Sequence, residues 1–129
     1  MHIREQLRPY IMEQYAEAAA SGTPIMRPLF VDFYNDTGSQ LVVDQMMFGP
    51  DYLVAPQLEE NATNRSVYLP PLPAGQAWRN IFSGVQTKPP TRRAGAGSGG
   101  GGVQIVEQTP THGEGLSTFP VYLLRRILV

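Results

Sequence analysis

The chain has 129 residues, room for one ordinary domain and far fewer than the roughly 250 of a complete (β/α)8 barrel. Glycine (13) and proline (12) are abundant, together about a fifth of the chain against an average near 12%, which argues against a helical bundle and for short strands joined by turns. Ten basic residues against eleven acidic ones offer no positive field for a phosphate backbone, so nucleic acid is excluded as an expected partner, and the lack of cysteine excludes a disulfide scaffold, a thiolate metal site and a thiol nucleophile.

Residues 3–20 predict a helix. Ile3, Leu7, Tyr10, Ile11, Tyr15, Ala18 and Ala19 recur at i, i+3, i+4 spacing. Pro9 either kinks this helix or sits in the first turn of a shorter one. Ser21-Gly22 ends it as a glycine cap, and Thr23-Pro24 reinforces the stop. Residues 25–33 form a nearly continuous apolar run, the pattern of a strand buried on both faces as in a parallel sheet. A helix, a glycine turn and such a strand make an αβ unit, which cannot close a core alone.

A polar connection follows over 34–45, then Met46-Met47-Phe48, a Gly49-Pro50 turn, and Tyr52–Pro56 as a buried strand. From about residue 57 short β-prone runs alternate with turn clusters. The runs are 65–69, 77–82, 103–107 and 119–124, a spacing that predicts an antiparallel sandwich. Residues 88–102, rich in glycine, read as a flexible loop without the strand–helix context of a phosphate cradle. No run of 18 apolar residues is present, so no membrane-spanning helix is expected. The start shows no signal-peptide pattern, and the apolar close at Leu123–Val129 reads as a cut. Both ends therefore suggest a piece of a longer protein, whose secretion would depend on a signal peptide elsewhere.

Three segments in one order carry a family resemblance. The first is Gly22-Thr23-Pro24-Ile25-Met26-Arg27-Pro28-Leu29-Phe30, preceded by Leu7-Arg8-Pro9-Tyr10. The second is Asp44-Gln45-Met46-Met47-Phe48-Gly49-Pro50-Asp51-Tyr52-Leu53-Val54-Ala55-Pro56. The third runs from Arg65-Ser66-Val67-Tyr68-Leu69-Pro70 through Trp78 and Ser83-Gly84 to Phe119-Pro120-Val121-Tyr122. Together they resemble the C-terminal part of glycoside hydrolase family 31, the α-glucosidase and α-xylosidase group.

That resemblance implies a fold that is mainly β: an antiparallel β-sandwich preceded by the terminal helix–strand unit of a (β/α)8 barrel. Residues 1–51 would be the end of the catalytic barrel and residues 52–129 the sandwich. It implies retaining hydrolysis of α-glucosides or α-xylosides by two carboxyls about 5–5.5 Å apart. In the family both catalytic Asp residues lie on earlier barrel strands. None maps onto this chain, so no catalytic residue is expected here, nor any cofactor or metal site. The α-linked oligosaccharide would be met through the missing barrel, on which this piece would pack. The alternative is a stand-alone carbohydrate-binding β-sandwich.

Asp32, Asp36, Asp44 and Asp51 are the tempting carboxylates. Asp32 falls toward the end of the expected barrel strand, where barrel enzymes place their sites, but a solvated or turn-capping role is its simpler reading, and structural roles are the simpler reading for Asp44 and Asp51. Arg27 within an apolar run needs a carboxylate partner at the barrel's rim or base, with a substrate contact as its alternative. Trp78 reads as a core residue, with a sugar-stacking platform as its alternative. His2 and His112 are the only imidazoles, far apart in sequence. Asn35-Asp36-Thr37, Asn61-Ala62-Thr63 and Asn64-Arg65-Ser66 are N-glycosylation sequons, all in expected loops.

Overall fold

The computed structural model describes residues 2–56, 58, 64–81, 84–88, 103–108 and 121–128. The expectations for His112, Asn61 and most of the glycine-rich segment fall outside these residues.

Helix α1 spans His2–Ser21 with Pro9 inside it. Gly22 caps it in the left-handed conformation (φ +76°), and its amide donates to the Ala18 carbonyl at 2.9 Å, a bond geometry that glycine reaches without a Cβ clash. Strand β1 (Met26–Pro28) follows, then helices α2 (Leu29–Asp32) and α3 (Thr37–Leu41), and strands β2 (Met46–Phe48) and β3 (Tyr52–Pro56). The remaining strands are β4 (Asn64–Leu69), β5 (Gln76–Asn80), β6 (Gln86–Thr87), β7 (Val103–Gln108) and β8 (Val121–Leu128).

The domain is mainly antiparallel β with a few helices. Six strands form one sheet in the order β1-β2-β3-β8-β5-β6, and β4 pairs with β7 in a second. Every described pairing is antiparallel. The larger sheet takes β1 and β2 from before residue 51 and the rest from after it.

The continuous buried strand expected over 25–33 is not formed. The strand stops after three residues, is buried only at its centre, Arg27, and pairs antiparallel with β2. The reason lies in Arg27 and Asp32. Their side chains meet at 2.6 Å, whereas a strand would carry residue 32 about 16 Å beyond residue 27. The chain must coil back to close the pair, and α2 is that coil.

Strand alternation then sorts the two faces of β1–β3. Arg27, Met47 and Leu53 lie opposite one another and are buried. One apolar cluster joins Met47, Leu53 and Ala55 of the large sheet to Val67 and Leu69 of β4, with Leu29, Leu72 and Trp78. Met26, Phe48 and Tyr52 align on the opposite face. There α1 docks through Tyr10, whose ring meets Tyr52 edge-on at 4.9 Å between centroids. The Tyr10 hydroxyl donates to the Phe48 carbonyl at 3.3 Å and accepts from the Asp51 amide at 3.2 Å. Burial, opposed by the bond from the Asp51 amide, pushes its pKa up to about 12. A Cβ on Gly49 (φ +65°) would overlap the Tyr10 hydroxyl, so the turn both needs glycine for its backbone and leaves the socket that Tyr10 fills.

Candidate functional site

The carboxylates picked out in the sequence are each engaged by the protein itself. Asp32 receives a fork from Arg27, Nε to Oδ2 at 2.6 Å and Nη2 to Oδ1 at 2.9 Å, while Nη1 donates to the Pro24 carbonyl at 3.0 Å. The bond to Asp32 raises the Arg27 pKa above its already high ordinary value. A planar guanidinium meets a carboxylate with two parallel bonds, and here it ties α2 to the loop before β1.

Asp36 caps α3. Its Oδ2 accepts from the Ser39 amide at 3.1 Å, the Ser39 hydroxyl at 2.6 Å and the Tyr68 hydroxyl at 2.6 Å. The first two satisfy the helix start, and the third fastens that start to β4. Asp44 pairs with Arg65 Nη2 at 2.8 Å, and Arg65 also donates to the Pro56 and Asp44 carbonyls. Asp51 faces Arg126 at 3.6 Å, and the Arg126 amide donates to the Asp51 carbonyl at 2.8 Å. The segment between β1 and β3 is thus stitched to β4 and β8 by polar side chains.

Gln45 was not singled out in the sequence. Its side-chain amide donates to the Tyr68 carbonyl at 2.9 Å and accepts from the Tyr68 amide at 2.7 Å. It occupies the edge of β4 as a neighbouring peptide would, linking the second sheet to the chain entering β2. Its sequence signal was its place beside Asp44 in the motif that runs to Pro56.

Trp78 is fully buried, its indole N–H donates to the Pro70 carbonyl at 3.0 Å, and its ring lies 6.2 Å from that of Phe33. It is core and presents no face to a sugar, so Trp78 is not a sugar-stacking platform. Asn35 and Asn64 are exposed. Among the described residues no cluster of His, Asp and Glu could hold a metal ion, and no helix is long and apolar enough to cross a membrane.

These motif residues lace together one mainly antiparallel β domain. The chain belongs to glycoside hydrolase family 31: the model of the glycosyl hydrolase family 31 C-terminal domain matches residues 22–123. It is 40% identical over 78 residues to a sulfoquinovosidase of Agrobacterium fabrum, covering 60% of this chain and 11% of that protein. It is 40% identical over 82 residues to a 1,3-alpha-isomaltosidase of Kribbella flavida, covering 64% and 11%. Among solved structures, a GH31 alpha-xylosidase from a soil metagenome, complexed with xylose, superposes with a TM-score of 0.74 at 36% identity, covering 96% of this chain and 15% of that one. A cycloalternan-degrading enzyme from Trueperella pyogenes, in complex with a covalent intermediate, gives 0.73 at 27% identity, covering 99% and 14%. The chain thus spans about a tenth to a seventh of the length of these relatives.

Proposed function

We propose that this chain is the C-terminal part of a retaining α-glycosidase acting on α-glucosides or α-xylosides, and that it supports the catalytic barrel without supplying a catalytic residue. The observation that carries this reading is the fate of Asp32, Asp36, Asp44 and Asp51, each bound to a structural partner. A nucleophile and an acid/base must face substrate. The covalent intermediate of the T. pyogenes relative is in keeping with retention.

Residues 1–51 are read as the end of the barrel and the part that meets it, and residues 52–129 as the sandwich. The outer side of α1 supports this. Tyr10 and Gln14 turn inward, yet the large side chains of Met12 and Tyr15 are exposed and are read as the part of the helix that meets the barrel. The oligosaccharide is met by the barrel. If the longer protein is secreted by a eukaryote, one or two of the sequons at Asn35, Asn61 and Asn64 carry glycan, Asn61 and Asn64 being too close for easy double occupancy.

The test is a segment exchange. The matching part of the soil-metagenome α-xylosidase is replaced by this chain, and xyloside turnover is measured. The expected result is a folded, active enzyme whose kcat is unchanged within about twofold by Asn at each of the four Asp positions. A kcat loss of a hundredfold or more from one of these substitutions, without loss of folding, would place chemistry in this chain.

A further inference from the structure

The large sheet is a splice of two halves. In the order β1-β2-β3-β8-β5-β6, the half made of β1, β2 and β3 and the half made of β5 and β6 are joined by β8, the last strand of the chain. The splice is staggered. Val121–Arg125 pair with β3, and Leu124–Leu128 pair with β5, so Leu124 and Arg125 are the residues paired on both sides. Arg126 lengthens the hold on the β3 side. Its amide donates to the Asp51 carbonyl at 2.8 Å, and its guanidinium lies 3.6 Å from the Asp51 carboxylate.

The walls of the slot that β8 fills are tied to each other by contacts made without β8. Trp78 of β5 donates its indole N–H to the Pro70 carbonyl at 3.0 Å and lies 6.2 Å from the ring of Phe33. It shares one apolar cluster with Leu53 and Ala55 of β3 and with Val67 and Leu69 of β4. β4 is tied in turn to the chain before β2, through Asp36 and Gln45 on Tyr68 and through Asp44 on Arg65. These contacts hold β3 and β5 on either side of the slot. Two facing strand edges bind an extended chain through main-chain hydrogen bonds, and side chains at alternate positions select what enters. A slip of one residue would turn every side chain to the other face. In the register found, Arg126 stands opposite Trp78 and beside Asp51, so the pair with Asp51 marks the register.

We infer that β8 is a separable closing strand: the slot between β3 and β5 is a binding site for an extended peptide, and its occupant is the chain's own Val121–Leu128, placed in register by Arg126 on Asp51. The strand leaves and re-enters the slot while α1, β1–β5 and β7 keep their fold. Residues 109–120 join it to β7, but the ladder and the Asp51 pair hold it, so the same residues supplied as a separate peptide complete the sheet. The inference concerns this chain alone and does not depend on the reading of the longer enzyme.

The test cuts the chain between Gln108 and Val121. A protease recognition sequence is inserted there, the folded chain is cleaved, and the product is held in urea below its unfolding transition with an excess of biotinylated peptide carrying residues 119–129. Retention on streptavidin reads exchange of the strand, and circular dichroism reads the fold. The expected result is uptake of the peptide, a thermal midpoint that rises with peptide concentration, and at least tenfold less uptake of the same peptide with Arg126→Glu. A strand that leaves only in the global unfolding transition, or a remainder that unfolds as the strand leaves, would overturn separability. Equal uptake of the two peptides would overturn the register role of Arg126. A second measurement needs no cut. In native-state hydrogen exchange of the intact chain, the amides of β8 should exchange together and at least tenfold faster than those of β4. One common rate for β8 and β4 would overturn the proposal.

Discussion

Asp36 offers the sharpest separation of a structural carboxylate from a chemical one. Replacing it with Ala removes the side-chain cap of α3, a loss of about 1 kcal/mol. It also removes the acceptor for the Tyr68 hydroxyl at 2.6 Å, and a hydrogen bond to a charged group contributes about 1.5–3 kcal/mol. The two losses come to about 3 kcal/mol. For a chain of this length the unfolding entropy is about 0.27 kcal/mol per kelvin, so the midpoint should fall by about 11 °C. Asp36→Asn keeps an oxygen for the cap but gives up the charge assistance, and should cost about 1–1.5 kcal/mol. Tyr68→Phe should cost about the same. In the double-mutant cycle the pair should show a coupling of at least about 1 kcal/mol, because both changes break one bond. Thermal unfolding followed by circular dichroism measures all of these. A shift below about 2 °C for Asp36→Ala, or no coupling to Tyr68, would refute the structural assignment of this carboxylate.

Three further outcomes are expected. Gly49→Ala places a methyl group on the Tyr10 hydroxyl and forces a left-handed backbone on alanine, for a cost of about 3 kcal/mol. In urea titrations that cost should shrink in a Tyr10→Phe background, and full additivity would contradict the socket. Arg27→Lys loses the two-bond fork to Asp32 and should cost about 1–3 kcal/mol; a change under about 0.5 kcal/mol in the same titration would deny the fork its role. Tyr10 is neutral over a wider pH range when folded than its ordinary pKa of 10.0 allows. Its stabilising share is therefore full below pH 10 and lost as pH rises toward about 12. Since the side chain is only partly buried, solvent screening holds this to about 1 kcal/mol or less. Wild type should accordingly lose more stability than Tyr10→Phe between pH 10 and 12, and parallel curves would contradict it.

What could be read from the residues divides along physical lines. The long helix was legible because twenty residues hold enough turns to show a period, and Gly22 marks its end. Strands β3, β4, β5 and β7 were legible from β-prone runs between turn clusters. Helices α2 and α3 were not. Four or five residues are too few to display a helical period, and their side chains are held by partners outside the helices: Arg27, five residues away, for Asp32, and Tyr68, across the fold, for Asp36. The same apolar run that builds α2 therefore looked like a strand. Arg27 announced the need for a carboxylate, and the sequence supplied one five residues later, but only folding shows that the two meet. Gln45 stood in the quoted motif, but its role was illegible because a side chain that imitates a strand edge has no one-dimensional pattern.

The most direct test of the central claim is an assay of the chain by itself. Purified residues 1–129 are incubated with aryl α-glucoside and aryl α-xyloside, and release of the aryl alcohol is followed. With every candidate carboxylate committed to a structural partner, the rate should equal that of buffer. Turnover that survives successive purification steps and disappears on substitution of Asp32, Asp36, Asp44 or Asp51 would contradict the account.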